Sequence, residues 1–480
     1  MTKYEFGSLV AGVWRNDGEQ RFTTANPAKP SETIGSYAST PPALLQEAAT
    51  EAVAAQAKWA KVPAIERARI VEAFLAAVQA RAKEIAEAIT LEQGKPLAES
   101  NGEIGKSLQE SRTMAGHLLH AGGEVLPSAR TGFRNMVVRR PRGVIAAITP
   151  WNFPILTPMR KIAPALLYGN AIILKPSEFT PATVCLIADA GRGILPDGVL
   201  QIVHGGGSVG AALCGLREVA GITFTGSVAT GRKIYAHAAA NLAELSLELG
   251  GKNAAVINDT DDLDHCLDQI VGAAFMCAGQ RCTAISRIIV NADLEKSALD
   301  GLVERARVVT LGDGMADGIT MGPLTNKAQL DRVAAMVNAG LKEGAKPLVG
   351  AEQARLQGLE GGFFYAPTIL ADVTPEMSVA REEIFGPVIS VLSYRNLDEA
   401  FSILNGVEYG LTSSLFSNDQ RVVQRFIDES QNGMIHVNHG TVPDNHMPFG
   451  GVKNSGVGAY SVGLSAAQFY TTEHSVYLRH

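Results

Sequence analysis

Long hydrophobic runs are missing from this chain: nothing in its 480 residues approaches the ~20 consecutive apolar residues that a bilayer span needs, so no membrane partner is expected. The opening MTKYEFGSLVAGVW carries one early lysine and a short apolar stretch broken by glycines, without the long apolar core and cleavage site of a secretory leader. Cysteine is scarce. There are five, an odd number with no CxxC, which argues against a disulfide framework and against a zinc site. Cys185, Cys214 and Cys266 read as small buried hydrophobes, no metal is expected, and a reduced, cytoplasmic setting fits. Positive charge is also in short supply. With 42 Lys and Arg against 48 Asp and Glu, the net charge is −6, and no basic tract advertises the phosphate-neutralising surface of a nucleic-acid binder.

The remaining composition is that of a globular protein, 46% hydrophobic with 49 glycines, long enough for about two to four domains. Residues 43–61 and 64–92 have helix-period apolar positions, and a third helical pattern covers about 96–121. From 137 the texture changes. Short β-branched runs (136–140, 143–149, 171–175, 200–204, 221–224) alternate with helix-like segments at 158–168, 181–194, 208–216 and 229–240, the signature of a parallel, doubly wound α/β sheet. The alternation continues through 253–258, 262–278, 284–290, 294–309 and 326–343, implying a second α/β lobe. Residues 344–362 read as a surface loop, and the last 17 residues as an amphipathic strand. That strand pairs either within its own domain or with another subunit.

Two segments offer a nucleotide site. GGGSVG (205–210) satisfies G-x-G-x-x-G after a strand, but no acid follows about 20 residues later to hold a ribose. GITFTGSVATG (221–231) is the better candidate: a strand ends at Thr225, Gly226 and Ser227, and the free N–H groups of the next helix would face an anion. The competing reading is a simple Ser N-cap. In AIILKPSE, Lys175 and Glu178 stand at a strand's C-terminal end, where open α/β sheets bind ligands; they hold ribose hydroxyls or form a solvated charge pair.

Three further segments offer chemistry. FMCAGQRCTAISRIIV (275–290) runs from a helix through Gly279 into a strand. That puts Cys282 in a turn beside Arg281, where a lowered pKa would make it a nucleophile; Cys277 falls on the helical pattern as core. An inert turn cysteine is the alternative. In AELSLELGGK, strand alternation sets Glu248 opposite Leu245, Leu247 and Leu249, as a solvated carboxylate or a general base. The glycine pair that follows admits a close approach. PWNFP (150–154) is a rigid turn that aims the Asn152 amide, a donor of the kind an oxyanion needs, or one with purely local purpose.

Taken in order, these segments resemble the NAD(P)-dependent aldehyde dehydrogenase superfamily over essentially the whole chain. PWNFP, KPSE, FTGS, LELGGK, the FxxxGQxC run ending at Cys282, EEIFGPV (382–388) and PFGGVKNSG (448–456) stand in the family's sequence order. The resemblance implies that Cys282 attacks the aldehyde carbon, that Asn152 and the Cys282 N–H hold the oxyanion, and that Glu248 activates water to release the acid. It puts Trp151, Gly226 and Ser227 near the cofactor pyrophosphate, Lys175 and Glu178 at the adenosine ribose, and Glu383 and Phe385 at the nicotinamide end. Glu178 favours NAD over NADP, because a carboxylate repels a 2′-phosphate. The implied fold is two Rossmann-like α/β domains plus a β oligomerisation arm. Residues 1–122 and 143–250 would bind cofactor, 251–440 would be catalytic, and 123–142 with 441–480 would form the arm and C-terminal tail of a homodimer or homotetramer.

Among members, the chain looks nearest to succinate-semialdehyde and ketoglutarate-semialdehyde dehydrogenases. Arg160 matches the position of a substrate-carboxylate arginine in the former, whereas Met276 stands where their second arginine would be. Arg281 beside Cys282 is reminiscent of the latter. Asp444, on the mouth loop 441–446, would oppose an anion unless it points away. The expected substrate is therefore a short, carboxylate-bearing aldehyde of the succinate or ketoglutarate semialdehyde type. The competing reading makes Arg160 a structural ion pair and the enzyme a dehydrogenase for apolar, aromatic or cationic aldehydes. Tyr460 stands about where many members carry a Glu linked to a lysine here matching Lys161, which puts that proton relay in doubt. A CoA-acylating enzyme, a non-catalytic member of the fold and a papain-like hydrolase are the alternatives. Glu248, the Cys282–Glu248–Asn152 set and the lack of a histidine motif argue against them in turn.

Overall fold

The computed structural model describes residues 2–120 and 122–480. Two α/β sheets and a small antiparallel arm organise the chain. In the first sheet the strands run Gly456–Gly458, Glu244–Glu248, Val219–Thr225, Val144–Ile148, Ala171–Lys175, Leu200–Ile202, Ser8–Val10 and Val13–Arg15. The five from Glu244–Glu248 to Leu200–Ile202 pair in parallel, and antiparallel strands close both sides. VIAAI and AIILK are buried at every position, as expected for central strands covered by helices on both faces.

Register brings the strands' C-terminal ends level: Ile148 pairs with Lys175 and with Phe224, and Thr225 pairs with Glu248. The turns that follow open along one edge. The second sheet runs Lys346–Val349, Thr368–Ala371, Val388–Tyr394, Arg287–Asn291, Ala254–Ile257, Thr412–Phe416 and Met434–Val437, parallel except for its first strand. Its own core packs Ile288, Ile289, Ile389, Leu392 and Leu415. The α/β architecture read from the sequence is thus present, with two parallel sheets.

Several local expectations need correcting. The helical run 64–92 is two helices, Ala64–Ala80 and Ala82–Gln93, parted where Arg81 leaves helical geometry. The supposed loop 344–362 includes the edge strand Lys346–Val349. Residues 466–470 of the supposed C-terminal strand form a short helix whose Ala466, Phe469 and Tyr470 are buried. Only Thr471–Arg479 is extended, and it pairs antiparallel along its length with Phe133–Pro141 of the same chain, which also pairs with Gly123–Leu126. Tyr477 and Val125 stand exposed on this arm. Among the described residues no helix is long and apolar enough to cross a membrane.

Candidate active site

A cavity of about 950 Å³ opens beside the C-terminal edge of the first sheet, at the large end of the range for small-molecule sites. Asn152, Arg160, Glu248, Arg281 and Cys282 line it together with Trp151, Gly226, Ser227, Glu383 and Phe385. Lys175, Glu178 and Asp444 do not. Asp444 is exposed on its loop. Lys175 is buried, donating to the Pro176 carbonyl at 2.9 Å and the Gly205 carbonyl at 2.7 Å, with Glu178 at 3.8 Å. It therefore ties the end of its strand to Gly205, just before the helix Gly207–Cys214 that GGGSVG opens.

Cys282 arrives from the second lobe. The helix Leu263–Phe275 stops, and Cys277, Ala278 and Gly279 take positive φ values of 57°, 52° and 69°. Cys277 is buried, as expected, but in this reversal rather than on a regular helix. Gly279 is needed there: a Cβ would lie 2.1 Å from the Gly386 carbonyl oxygen. The Asn253 amide then holds the Cys282 carbonyl at 2.7 Å. The half-buried Cys282 thiol is shifted in the direction opposite to the one its neighbour Arg281 suggests. Burial first, then the Glu248 carboxylate, push the Cys282 thiol up to about 12, and Arg160 and Arg281 only partly offset them.

Glu248 is buried at its strand's end. Its Oε2 accepts from Thr225 Oγ1 at 3.2 Å, while Oε1 has no partner among the described residues. A buried carboxylate oxygen left free is costly, so the geometry suits a group that receives a proton from something entering the cavity. Gly250 and Gly251 admit Glu383: the Gly251 N–H donates to Glu383 Oε1 at 3.0 Å, and a Cβ on Gly250 would meet Oε2 at 2.2 Å. Burial pushes the Glu383 carboxyl up to about 7. Phe385, also at positive φ, meets Trp151 edge to face at 5.5 Å. Ser227 caps the helix Val228–Ala238, accepting from the Thr230 N–H at 3.3 Å, so the capping reading holds while the hydroxyl still lines the cavity.

Asn152 donates one amide hydrogen to the Gln280 carbonyl at 2.8 Å. An amide nitrogen has two, which leaves one for a ligand. The two candidate substrate arginines differ. Arg160 gives its Nε and one terminal nitrogen to both oxygens of buried Glu110, at 2.7 and 2.8 Å, and stacks 4.2 Å from the Phe449 ring. Buried Arg281 reaches only the Thr283 hydroxyl at 3.2 Å and the Met276 sulfur at 3.4 Å, and its Nε is unpaired among the described residues. Lys161 donates to Thr223 Oγ1 at 2.9 Å, and burial pulls it down to about 8. Tyr460 packs against Gly433 and Gly450.

Sequence reading missed the cavity residues contributed by the helix Leu97–His117. Glu103 lines the cavity, and Glu110, one heptad on along the face that buries Ile104 and Leu108, stands behind it and holds Arg160. Acids recurring on an apolar stripe were the available signal.

The chain matches the aldehyde dehydrogenase family over residues 14–476. It belongs to that family. It is an oxidoreductase acting on aldehyde groups. An alpha-ketoglutaric semialdehyde dehydrogenase of Bacillus subtilis is 34% identical, with 98% of each chain covered. A betaine aldehyde dehydrogenase of Brucella anthropi is 35% identical over 94% of this chain and 92% of its own. Among solved structures, a betaine aldehyde dehydrogenase of Staphylococcus aureus in complex with NAD+ superimposes with a TM-score of 0.95 at 30% identity, over 98% of this chain and 94% of that one. The semialdehyde resemblance and the aldehyde dehydrogenase fold read from the motifs agree with these findings.

Proposed function

We propose that this aldehyde dehydrogenase oxidises a short, carboxylate-bearing semialdehyde through a thioester on Cys282, with NAD as cofactor and NADP as the admissible alternative. One observation carries the reading: Cys282, the free oxygen of Glu248 and the Asn152 amide line the same cavity as Trp151, Ser227, Glu383 and Phe385. These residues fit a dinucleotide. Ser227 at a helix N-terminus suits the pyrophosphate, Glu383 and Phe385 suit the nicotinamide end, and half-exposed Glu178 beside Lys175 suits ribose hydroxyls. When bound, the nicotinamide supplies the hydride acceptor.

The chain's own residues do the rest. Glu248 Oε1, free and facing the same cavity, first takes the Cys282 thiol proton and releases it to solvent. The thiolate adds to the aldehyde carbon, forming the C–S bond and an oxyanion. The second Asn152 amide hydrogen and the Cys282 N–H hold that oxygen. Its collapse breaks the C–H bond rather than the C–S bond, the hydride going to the acceptor that a bound nicotinamide would supply, and leaves the thioester. Glu248 Oε1 takes a proton from the water that attacks the thioester. The C–S bond then breaks and the acid departs.

Arg281, with unused donors, receives the substrate carboxylate. Arg160 contributes less, its planar edge being held by Glu110. A cationic aldehyde is the second reading: Glu110 neutralises Arg160, and a betaine aldehyde dehydrogenase is among the relatives. The chain divides into a cofactor domain (1–122 and 143–250), a catalytic domain (251–440), and an arm and tail (123–142 and 441–480) that join subunits in a homodimer or homotetramer. Five unpaired cysteines suit the cytoplasm.

NADH formation across semialdehydes, betaine aldehyde, benzaldehyde and hexanal tests the assignment. Succinate and ketoglutarate semialdehydes should lead in kcat/KM by about ten-fold or more, ~1.4 kcal/mol. Arg281→Gln should erase that lead, and Cys282→Ala should abolish turnover. Betaine aldehyde in the lead moves the assignment to the second reading, and a fully active Cys282→Ala sinks the thioester.

A further inference from the structure

We propose that the buried Lys95–Glu103 pair positions Asn152, and through it the oxyanion that Cys282 generates. The inference rests on the role given to Asn152 above. Lys95 follows the helix Ala82–Gln93, and Glu103 lies on the helix Leu97–His117. Their side chains meet at 2.7 Å with both 1% exposed. Among the described residues, every other hydrogen bond these two side chains make reaches one short segment. Lys95 Nζ donates to the Asn152 carbonyl at 2.8 Å and lies 4.1 Å from the Phe153 ring. Glu103 Oε1 accepts the N–H groups of Ile155 and Leu156, both at 3.0 Å. Together they clamp residues 152–156 at both ends.

The clamp belongs to a closed ring of buried hydrogen bonds. The Lys95 N–H donates to Gln93 Oε1, and Gln93 Nε2 donates to Thr325 Oγ1. The Thr325 N–H donates to Gln280 Oε1, and the Gln280 carbonyl accepts from the Asn152 amide. Lys95 Nζ on the Asn152 carbonyl completes the circuit. Gln280 is two residues before Cys282, so the ring fixes the distance between the oxyanion donor and the nucleophile's own turn. A buried ion pair is weak evidence for stability, since desolvation offsets its attraction. Holding a donor within a fraction of an ångström is a use that repays that cost. Neither residue needs to touch the reacting atoms; both act through Asn152.

A double-mutant cycle with Asn152→Ala decides it. The full-length enzyme is mixed rapidly with NAD and aldehyde, and the pre-steady-state rate of NADH formation is read beside Tm and NAD affinity. Lys95→Met should slow that phase by about 10- to 100-fold with NAD affinity unchanged, Lys95→Arg should restore part of the loss, and Glu103→Gln, which keeps an acceptor for Ile155 and Leu156, should lose less. In the Asn152→Ala background each substitution should cost less than about two-fold. The same loss in both backgrounds, or none in the otherwise wild-type enzyme, overturns the positioning role. If Lys95→Met does not fold, Glu103→Gln and Lys95→Arg carry the same comparison. Wild-type rates from Asn152→Ala alone overturn the assignment of Asn152, and the inference with it.

Discussion

At the scale of single residues, the Cys282 thiol lies between influences of opposite sign. Arg160 and Arg281 favour the thiolate; burial and Glu248 disfavour it and prevail. A raised acid pKa means that thiolate accumulates only at higher pH. Alkylation of the free enzyme by iodoacetamide, with Cys282→Ala as blank, should therefore keep accelerating above pH ~8.5, where an ordinary thiol is already half ionised. A plateau by about pH 8 would contradict this. Adjacency to Arg281 was visible in the chain, but the desolvation that outweighs it was not, because burial is set by residues far away in sequence. Arg160 teaches the same lesson. Its fitness for a carboxylate could be read from its type, whereas its partner, Glu110, stands 50 residues upstream.

At the scale of elements, the turn before Cys282 is a tightly constrained piece of backbone. Three consecutive residues, Cys277 to Gly279, hold positive φ, a conformation that costs non-glycine residues about 1–3 kcal/mol each and persists only where surroundings enforce it. Gly279→Ala would set a methyl against the Gly386 carbonyl, next to Phe385. We expect it to lower unfolding stability by more than about 2 kcal/mol and to weaken NAD binding, checked by denaturant melts and by titration of protein fluorescence. An unchanged midpoint would mean that the turn relaxes freely. Strands and helices were largely legible because apolar period reports them directly: 171–175 and 326–343 in the sequence correspond to Ala171–Lys175 and Lys327–Glu343. The break at Arg81 and the helix Ala466–Tyr470 were not, since an Ala-rich run and a short aromatic run are compatible with more than one local structure.

At the scale of the whole molecule, the arm pairs Thr471–Arg479 with Phe133–Pro141 of its own chain and leaves Tyr477 and Val125 exposed. If this sheet joins subunits, ending the chain at Tyr470 should yield a smaller species in sedimentation velocity. An unchanged sedimentation coefficient, after allowing for the lost mass, would remove the arm from the assembly. The sequence by itself determined the family, the α/β class and the chemical types at the cavity, since hydrophobic period and ordered motifs are local properties of the chain. Tertiary structure alone decided which of those side chains are free to act. It left Glu248 Oε1 and Arg281 with unused capacity, gave Arg160 to Glu110, and tied Asn152 to Lys95 and Gln280. Whether a polar group is free depends on neighbours that close packing brings together from distant parts of the chain, and no local pattern records them.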